Sequence, residues 1–273
     1  MFEQNRIRTR ASAAANILEL IYHSIVREVR KTHGNALIGL LMNMMQAMLF
    51  VAAFYLMFSV MGLRALALRG DFLVYLMSGI FLFLTHTKTV SAVAGSEGPA
   101  SAMMKHAPMN TLIAMSGAAL AALYLQTLTM VIILIGYDAL VEPVHVDRPL
   151  AAYGAFLVAW FTGVAVGIVL AAMKPWAPGP VSVITAIYSR ANMVASGKMF
   201  VANQLPPQVL AMFDWNPLFH AIDQARGFAF INYSPRNSSL EYAIYVGIVL
   251  IMIGFMLEFY TRKHASESWG ARA

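Results

Sequence analysis

The sequence predicts an all-α integral membrane protein with six transmembrane helices, an N-terminal amphipathic interface helix and a re-entrant helical hairpin before the last span. Three observations lead there. Of 273 residues, 59% are hydrophobic and only 12% charged, about half the charged share of a soluble domain. Apolar stretches recur that can cross a hydrocarbon core, which takes about 20 residues. The segment Ser196 to Gly227 is too apolar for an exposed loop and too broken by Pro and Gly for one helix. Backbone of that kind is tolerated at membrane depth only when buried in protein or lining a water-filled cavity.

The chain divides into residues 1–34, a cytoplasmic N-terminus with the interface helix, and residues 35–273, a single transmembrane domain. Leu18, Ile21, Tyr22, Ile25 and Val29 share one helical face, and Glu19, His23, Arg27 and Arg30 the other. A basic amphipathic helix of this kind lies in the membrane interface; a cytosolic helix packed on a partner protein is the alternative. The apolar region starts too late and runs too long for a signal peptide.

The expected spans are 35–62, 72–94, 110–136, 150–172, 180–196 and 240–259. The fifth is short and carries Arg190. With the N-terminus inside, 11 basic residues fall on the interior and 6 on the exterior, the latter being Arg64, Arg69, Arg148, Lys198, Arg226 and Arg236. The positive-inside rule therefore places both termini in the cytoplasm. Such placement of the net +6 charge reports membrane orientation rather than nucleic-acid binding.

In the fourth span Ala155, Ala159, Gly163, Gly167 and Ala171 form a small-residue stripe, and Ala114, Ala118 and Ala122 repeat it in the third. Such stripes let helix backbones approach closely, either within the chain or across a subunit interface. After the second span, Gly95-Ser96-Glu97-Gly98-Pro99 and Pro108 bracket a short cytoplasmic helix, giving an element at about 95–107. The next cytoplasmic loop, 173–180, is Pro-rich and puts Trp176 at the interface.

In the broken segment, about 197–230, Pro206-Pro207 opens a short helix. Asn216 caps a second one that has Pro217 at its first position. His220, Asp223, Gln224 and Gly227 share a face of it, and Asp223 and Arg226 have the spacing of a pair. The result is a hairpin that dips into the outer leaflet without crossing; a structured extracellular loop with no transport role is the alternative.

Several chemistries find no motif. The chain has no P-loop, H-E-x-x-H or G-x-S-x-G, no Cys for disulfides or thiolate metal sites, and seven His without metal-ligand spacing. No span carries a chain of acids suited to a proton-driven transporter. The deeply placed ionisable residues are His86, Lys88 and Arg190. Lys88 is near enough to its span end to snorkel. Arg190 belongs to a polar cluster, Tyr188-Ser189-Arg190-Ala191-Asn192, which either lines a polar pathway or forms a structural buried pair.

The interface helix, the spans, the cytoplasmic helix and the hairpin with Ser196-Gly197, Leu205-Pro206, Asn216-Pro217-Leu218-Phe219-His220 and Arg226 resemble the type-2 ABC transporter permeases, and among them the capsular-polysaccharide exporters. The basic tail Tyr260-Thr261-Arg262-Lys263 also fits. A Gly/Pro-rich Gly95 to Pro99, and Met103-Met104 where Leu pairs are common, depart from the family.

The resemblance implies a transport subunit of the bacterial inner membrane rather than an enzyme. It implies a homodimer with two separate nucleotide-binding ATPase subunits, which alone would bind ATP and Mg. The ATPases would contact Glu97, Met103, Met104, Lys105 and His106. The cargo would be a lipid-linked capsular polysaccharide, handed to periplasmic and outer-membrane export components. Pathway candidates are Tyr188, Ser189, Arg190, Asn192, Phe200 and Trp215, and the hairpin motif is Pro206, Asn216, Pro217, His220 and Arg226. The same architecture serves an O-antigen, teichoic acid or small-molecule cargo. A membrane-embedded enzyme acting on lipid-linked sugars is the rival from another class.

Overall fold

A computed structural model describes residues 10–31, 35–62, 71–96 and 110–264, with side chains from residue 16 onward. The helices are α1 (Arg10–Lys31), α2 (Ala36–Val60), α3 (Phe72–Ala94), α4 (Thr111–Leu140), α5 (Pro149–Met173), α6 (Pro178–Ala195), α7 (Pro207–Leu210), α8 (Pro217–Ala229) and α9 (Leu240–His264), with a 3-10 turn at Ala202–Gln204. No strand occurs among the described residues. The expected ATPase-contact residues Glu97, Met103, Met104, Lys105 and His106 lie outside the described residues.

Local chemistry sets the helix starts. Asn35, Asp71, Asn110 and Asn216 each turn a side-chain oxygen back to accept the N–H two residues on, satisfying a donor the helix leaves orphaned. Pro149 and Pro178 open α5 and α6, where the missing N–H costs nothing. Five helices (α2, α3, α4, α5 and α9) are long and apolar enough to cross a membrane, and the protein is a multi-pass membrane protein. α6, which covers the expected fifth span, has 18 residues including Arg190 and is not among those five.

α3 forms the centre, buried along most of its length. α5 packs on it through the small-residue stripe: a Cβ at Gly163 would fall 2.8 Å from the His86 carbonyl oxygen, and one at Gly167 would fall 2.7 Å from Val93 Cβ. Of the two readings of that stripe, packing within the chain is the one observed. α9 lies along the other side of α5, where Gly247 faces Phe161, Gly254 faces Ile168 and Thr261 donates to the Ala172 carbonyl at 3.0 Å. The order of these contacts makes α9 parallel to α5. α6 runs antiparallel to α3, with Val181 beside Val90 and Ala94, Tyr188 beside His86, and Lys198 beside Gly79. At the end of α1, Ser24 abuts Gly117 of α4, while Leu18 and Tyr22 stay exposed on its apolar side.

The close α3–α5 contact makes a specific prediction. Gly163→Leu should lower the thermal midpoint of the detergent-solubilised protein, because overpacking costs about 1–3 kcal/mol. Gly154→Ala, which meets nothing within 4 Å, should leave it unchanged.

Candidate functional site

The chain leaves α6 by a turn that needs glycine. Gly197 has φ +75°, the left-handed conformation that commonly terminates helices, and any Cβ there would press on the Phe219 ring at 2.7 Å. The turn aims its carbonyls at Arg226 of α8. Arg226 Nη1 donates to the carbonyls of Gly197 (2.8 Å) and Phe200 (2.7 Å), and Nη2 donates to that of Lys198 (2.7 Å). The guanidinium lies 4.3 Å from the Tyr75 ring centroid, and Arg226 is 1% exposed. Gly79 of α3 makes room, since a Cβ there would sit 2.9 Å from both Arg226 Nη2 and Lys198 Cα.

Lys198 is equally buried. Its ammonium donates to the Met193 carbonyl at 2.7 Å and stands 3.6 Å from the Phe83 ring centroid and 5.2 Å from that of Phe54. Both cations were expected among the exterior basic residues; the structure places them inside. Carbonyl oxygens and aromatic faces replace the water that a surface would supply.

The expected Asp223–Arg226 pair does not form. Asp223 instead accepts the Tyr233 hydroxyl and, at 2.6 Å, the Ser238 hydroxyl. Gln224 donates to the Ser238 carbonyl at 2.7 Å. His220 Nδ1 accepts the Ser239 N–H at 3.0 Å, so the proton sits on Nε2, which donates to the Asp214 carbonyl at 2.6 Å. Burial lowers the His220 pKa, in keeping with that neutral tautomer. Burial, then the Asp223 carboxylate, pushes the Tyr233 phenol well above its ordinary range. The polar face of α8 read from the sequence is therefore a grip on the link into α9, and Gly227 lets Pro235 of that link pack against the helix.

Asn216 joins α8 to α6. While its Oδ1 caps α8, its Nδ2 donates to Asn192 Oδ1 and to the Ala195 carbonyl, both at 2.9 Å. One turn earlier, the Tyr188 hydroxyl meets His86 Nε2 at 2.8 Å, and His86 Nδ1 lies 3.0 Å from the Ala159 carbonyl oxygen it donates to. A single polar seam thus ties α3, α5, α6 and α8 together.

The six pathway candidates separate. Tyr188 and Asn192 face this seam, and Phe200 packs on Phe213 and Phe219 with centroids 5.1 and 6.4 Å away. Ser189 is half-buried and donates to the Thr185 carbonyl at 3.0 Å. Arg190 is exposed, in line with exposed Val183, Ile187 and Val194, and makes no hydrogen bond or ion pair with a described residue. Trp215 is 62% exposed, its indole donating to the Met212 carbonyl at 2.8 Å and its own carbonyl accepting the Tyr242 hydroxyl at 2.9 Å. In the hairpin motif, Pro206 precedes α7 and Pro217 opens α8.

Sequence reasoning passed over Tyr75, Gly79, Phe83, Lys198, Tyr233 and Ser238. Only Gly79, a glycine inside an apolar helix, carried a local hint of close backbone approach. No protein-family model matches the chain, and no curated protein matches it.

The two buried cations should respond oppositely. Arg226→Lys keeps the charge but not the planar fork, and losing carbonyl bonds to a charged donor should cost roughly 2–4 kcal/mol, read as a lower unfolding midpoint in detergent. Lys198→Met removes a buried charge and retains the volume, so the midpoint should hold or rise.

Proposed function

We propose that this chain is the membrane permease subunit of an ATP-driven exporter of the type-2 ABC kind, moving lipid-linked capsular polysaccharide outward across a bacterial inner membrane. Two copies form the pathway, and two separate ATPase subunits supply the energy. The observation that carries this reading is the outer face of α6. An arginine on a membrane-embedded helix surface is costly unless it meets protein, water or a polar ligand. The Val183–Ile187–Arg190–Val194 face meets none of these within the described chain. A second copy across a two-fold axis, with a polar cargo passing beside Arg190, supplies both an apolar partner for the valines and isoleucine and a solvated setting for the guanidinium.

The helix directions support the topology. α9 runs parallel to α5 although only about 66 residues separate their ends and starts, so the chain must travel back between them. α6, roughly 27 Å long at 1.5 Å per residue, runs antiparallel to α3 and makes that return. Counted as the fifth of six crossings, it puts both termini on the cytoplasmic side and residues 197–239 at the outer end. α8 then lies level with Tyr75 to Phe83 in the outer half of α3, as a re-entrant hairpin would. Exposed Trp215 at its entrance offers the flat face that sugar rings stack on. Lipid-linked polymer leaving here would pass to periplasmic and outer-membrane components.

The test is affinity purification of the protein from its native membranes, from which a nucleotide-binding ATPase should come down with it. A single Cys introduced at Ile187, in a chain with no other Cys, should cross-link two copies. Arg190→Glu should abolish polymer export at normal protein abundance, whereas wild-type export by that variant would remove Arg190 from the pathway.

A further inference from the structure

A cavity of about 680 Å³ opens on the opposite side of the bundle from the hairpin, between the end of α1, the first half of α2, the last turns of α3 and the middle of α4. Small side chains make the room: Ala118, Ala121 and Ala122 of α4 face Ser91 and Ala92 of α3. Its size falls within the range of ligand-binding sites, roughly 300–1,000 Å³.

The cavity is lined by both polar and apolar groups. Lys88 and Gln46 line it, and neither makes a hydrogen bond or ion pair with a described residue. Beside them Gln126 donates to Asn43 Oδ1 at 3.1 Å, and Asn43 donates to Thr129 at 2.8 Å, so these amides are fixed in place rather than free to collapse into the space. Glu28, which has its own partner, is the sole carboxylate among the described lining residues and sits at the end of α1, at the mouth. Flanking Gln46 on α2, Met42, Met45 and Leu49 form an apolar wall that is itself exposed on the outside of the helix.

Lys88 lies six residues before the end of α3, about 9 Å from it at 1.5 Å per residue. Its stem can carry the ammonium toward headgroup level. The sequence reading had Lys88 near enough to its span end to snorkel, and in the structure it lines this cavity.

We propose that this cavity binds the anionic headgroup of a bilayer phospholipid. The phosphate meets Lys88 and the Gln46 amide, and the acyl chains leave over Met42, Met45 and Leu49 into the cytoplasmic half of the membrane. A lysine with no described acceptor needs a counter-charge, and a phosphodiester with two chains satisfies the lysine and amide together with the lipid-facing apolar wall. The site does not depend on the export reading, because it uses none of the α6 or hairpin residues.

The experiment titrates pyrene-labelled phosphatidylglycerol onto the full-length protein in maltoside detergent. Saturable binding of one lipid per chain is expected. Lys88→Met should weaken it about tenfold, the scale of one charge-assisted hydrogen bond, and Lys88→Arg should restore it. Gln46→Leu should weaken it by a smaller factor, about threefold, and serves as the deciding variant if Lys88→Met fails to fold. Unlabelled phosphatidylcholine should compete poorly and millimolar inorganic phosphate not at all. Wild-type affinity in a folded Lys88→Met, or in Gln46→Leu, would overturn the site. Equal competition by phosphatidylcholine would overturn its anion preference, and displacement by inorganic phosphate would make it a free-anion site. Displacement by a polyprenyl phosphate at far lower concentration than by phosphatidylglycerol would overturn the bilayer source.

Discussion

Where α6 ends, one stretch of backbone turns three carbonyls inward, and a single guanidinium donates to all three. The Arg226 contacts to Gly197, Lys198 and Phe200 are the constraint on which the far end of the bundle depends. Non-helical backbone cannot rest in hydrocarbon without partners. Arg supplies them in a planar fork that no other side chain reproduces. Gly197 provides the turn, Gly79 the space and Tyr75 the face beneath the charge. Each of these would be idle without the others.

From that clamp the rest of the segment between α6 and α9 follows. With the loop after α6 fixed, Asn216 can reach back to Asn192 and Ala195 while it caps α8. α8 is then held on one side by α3 and α5, and on the other it grips the link into α9 through His220, Asp223 and Gln224. Nearly all of its polar side chains are occupied in holding backbone. Exposed Arg190 differs from them in this respect, and Trp215, whose indole N–H holds the Met212 carbonyl, is largely exposed, which is why these two, rather than the buried seam, bear the functional proposal.

Much of the fold was legible in the sequence. Helix limits at Asn35, Asp71, Asn110 and Asn216-Pro217 follow from capping chemistry that acts over two or three residues. The four-residue stripe of α5 announced a close helix contact. What was not legible depends on partners distant in the chain. Asp223 and Arg226 have pairing geometry on a helix, but Tyr233 and Ser238 claim the carboxylate while three carbonyls claim the guanidinium. Lys198 looks like an exterior residue after a span, and the Met193 carbonyl with the rings of Phe54 and Phe83 explains its burial. Tyr188 and Asn192 share a polar cluster with Arg190, yet a helix turns them toward His86 and Asn216 and turns Arg190 away. Hydropathy sets no helix rotation, so those opposite roles could not be separated from composition.

In the proposed topology α6 returns the chain across the membrane, so that residues 197–239 stand at the far end from the cytoplasm. Single cysteines at Leu140, Met173 and Met212, all exposed, can be labelled with a membrane-impermeant maleimide in right-side-out and inside-out vesicles. The account predicts that Leu140→Cys and Met212→Cys label from the outer side and Met173→Cys from the cytoplasmic side. Labelling of Met212→Cys from the same side as Met173→Cys would leave α6 uncrossed and contradict it.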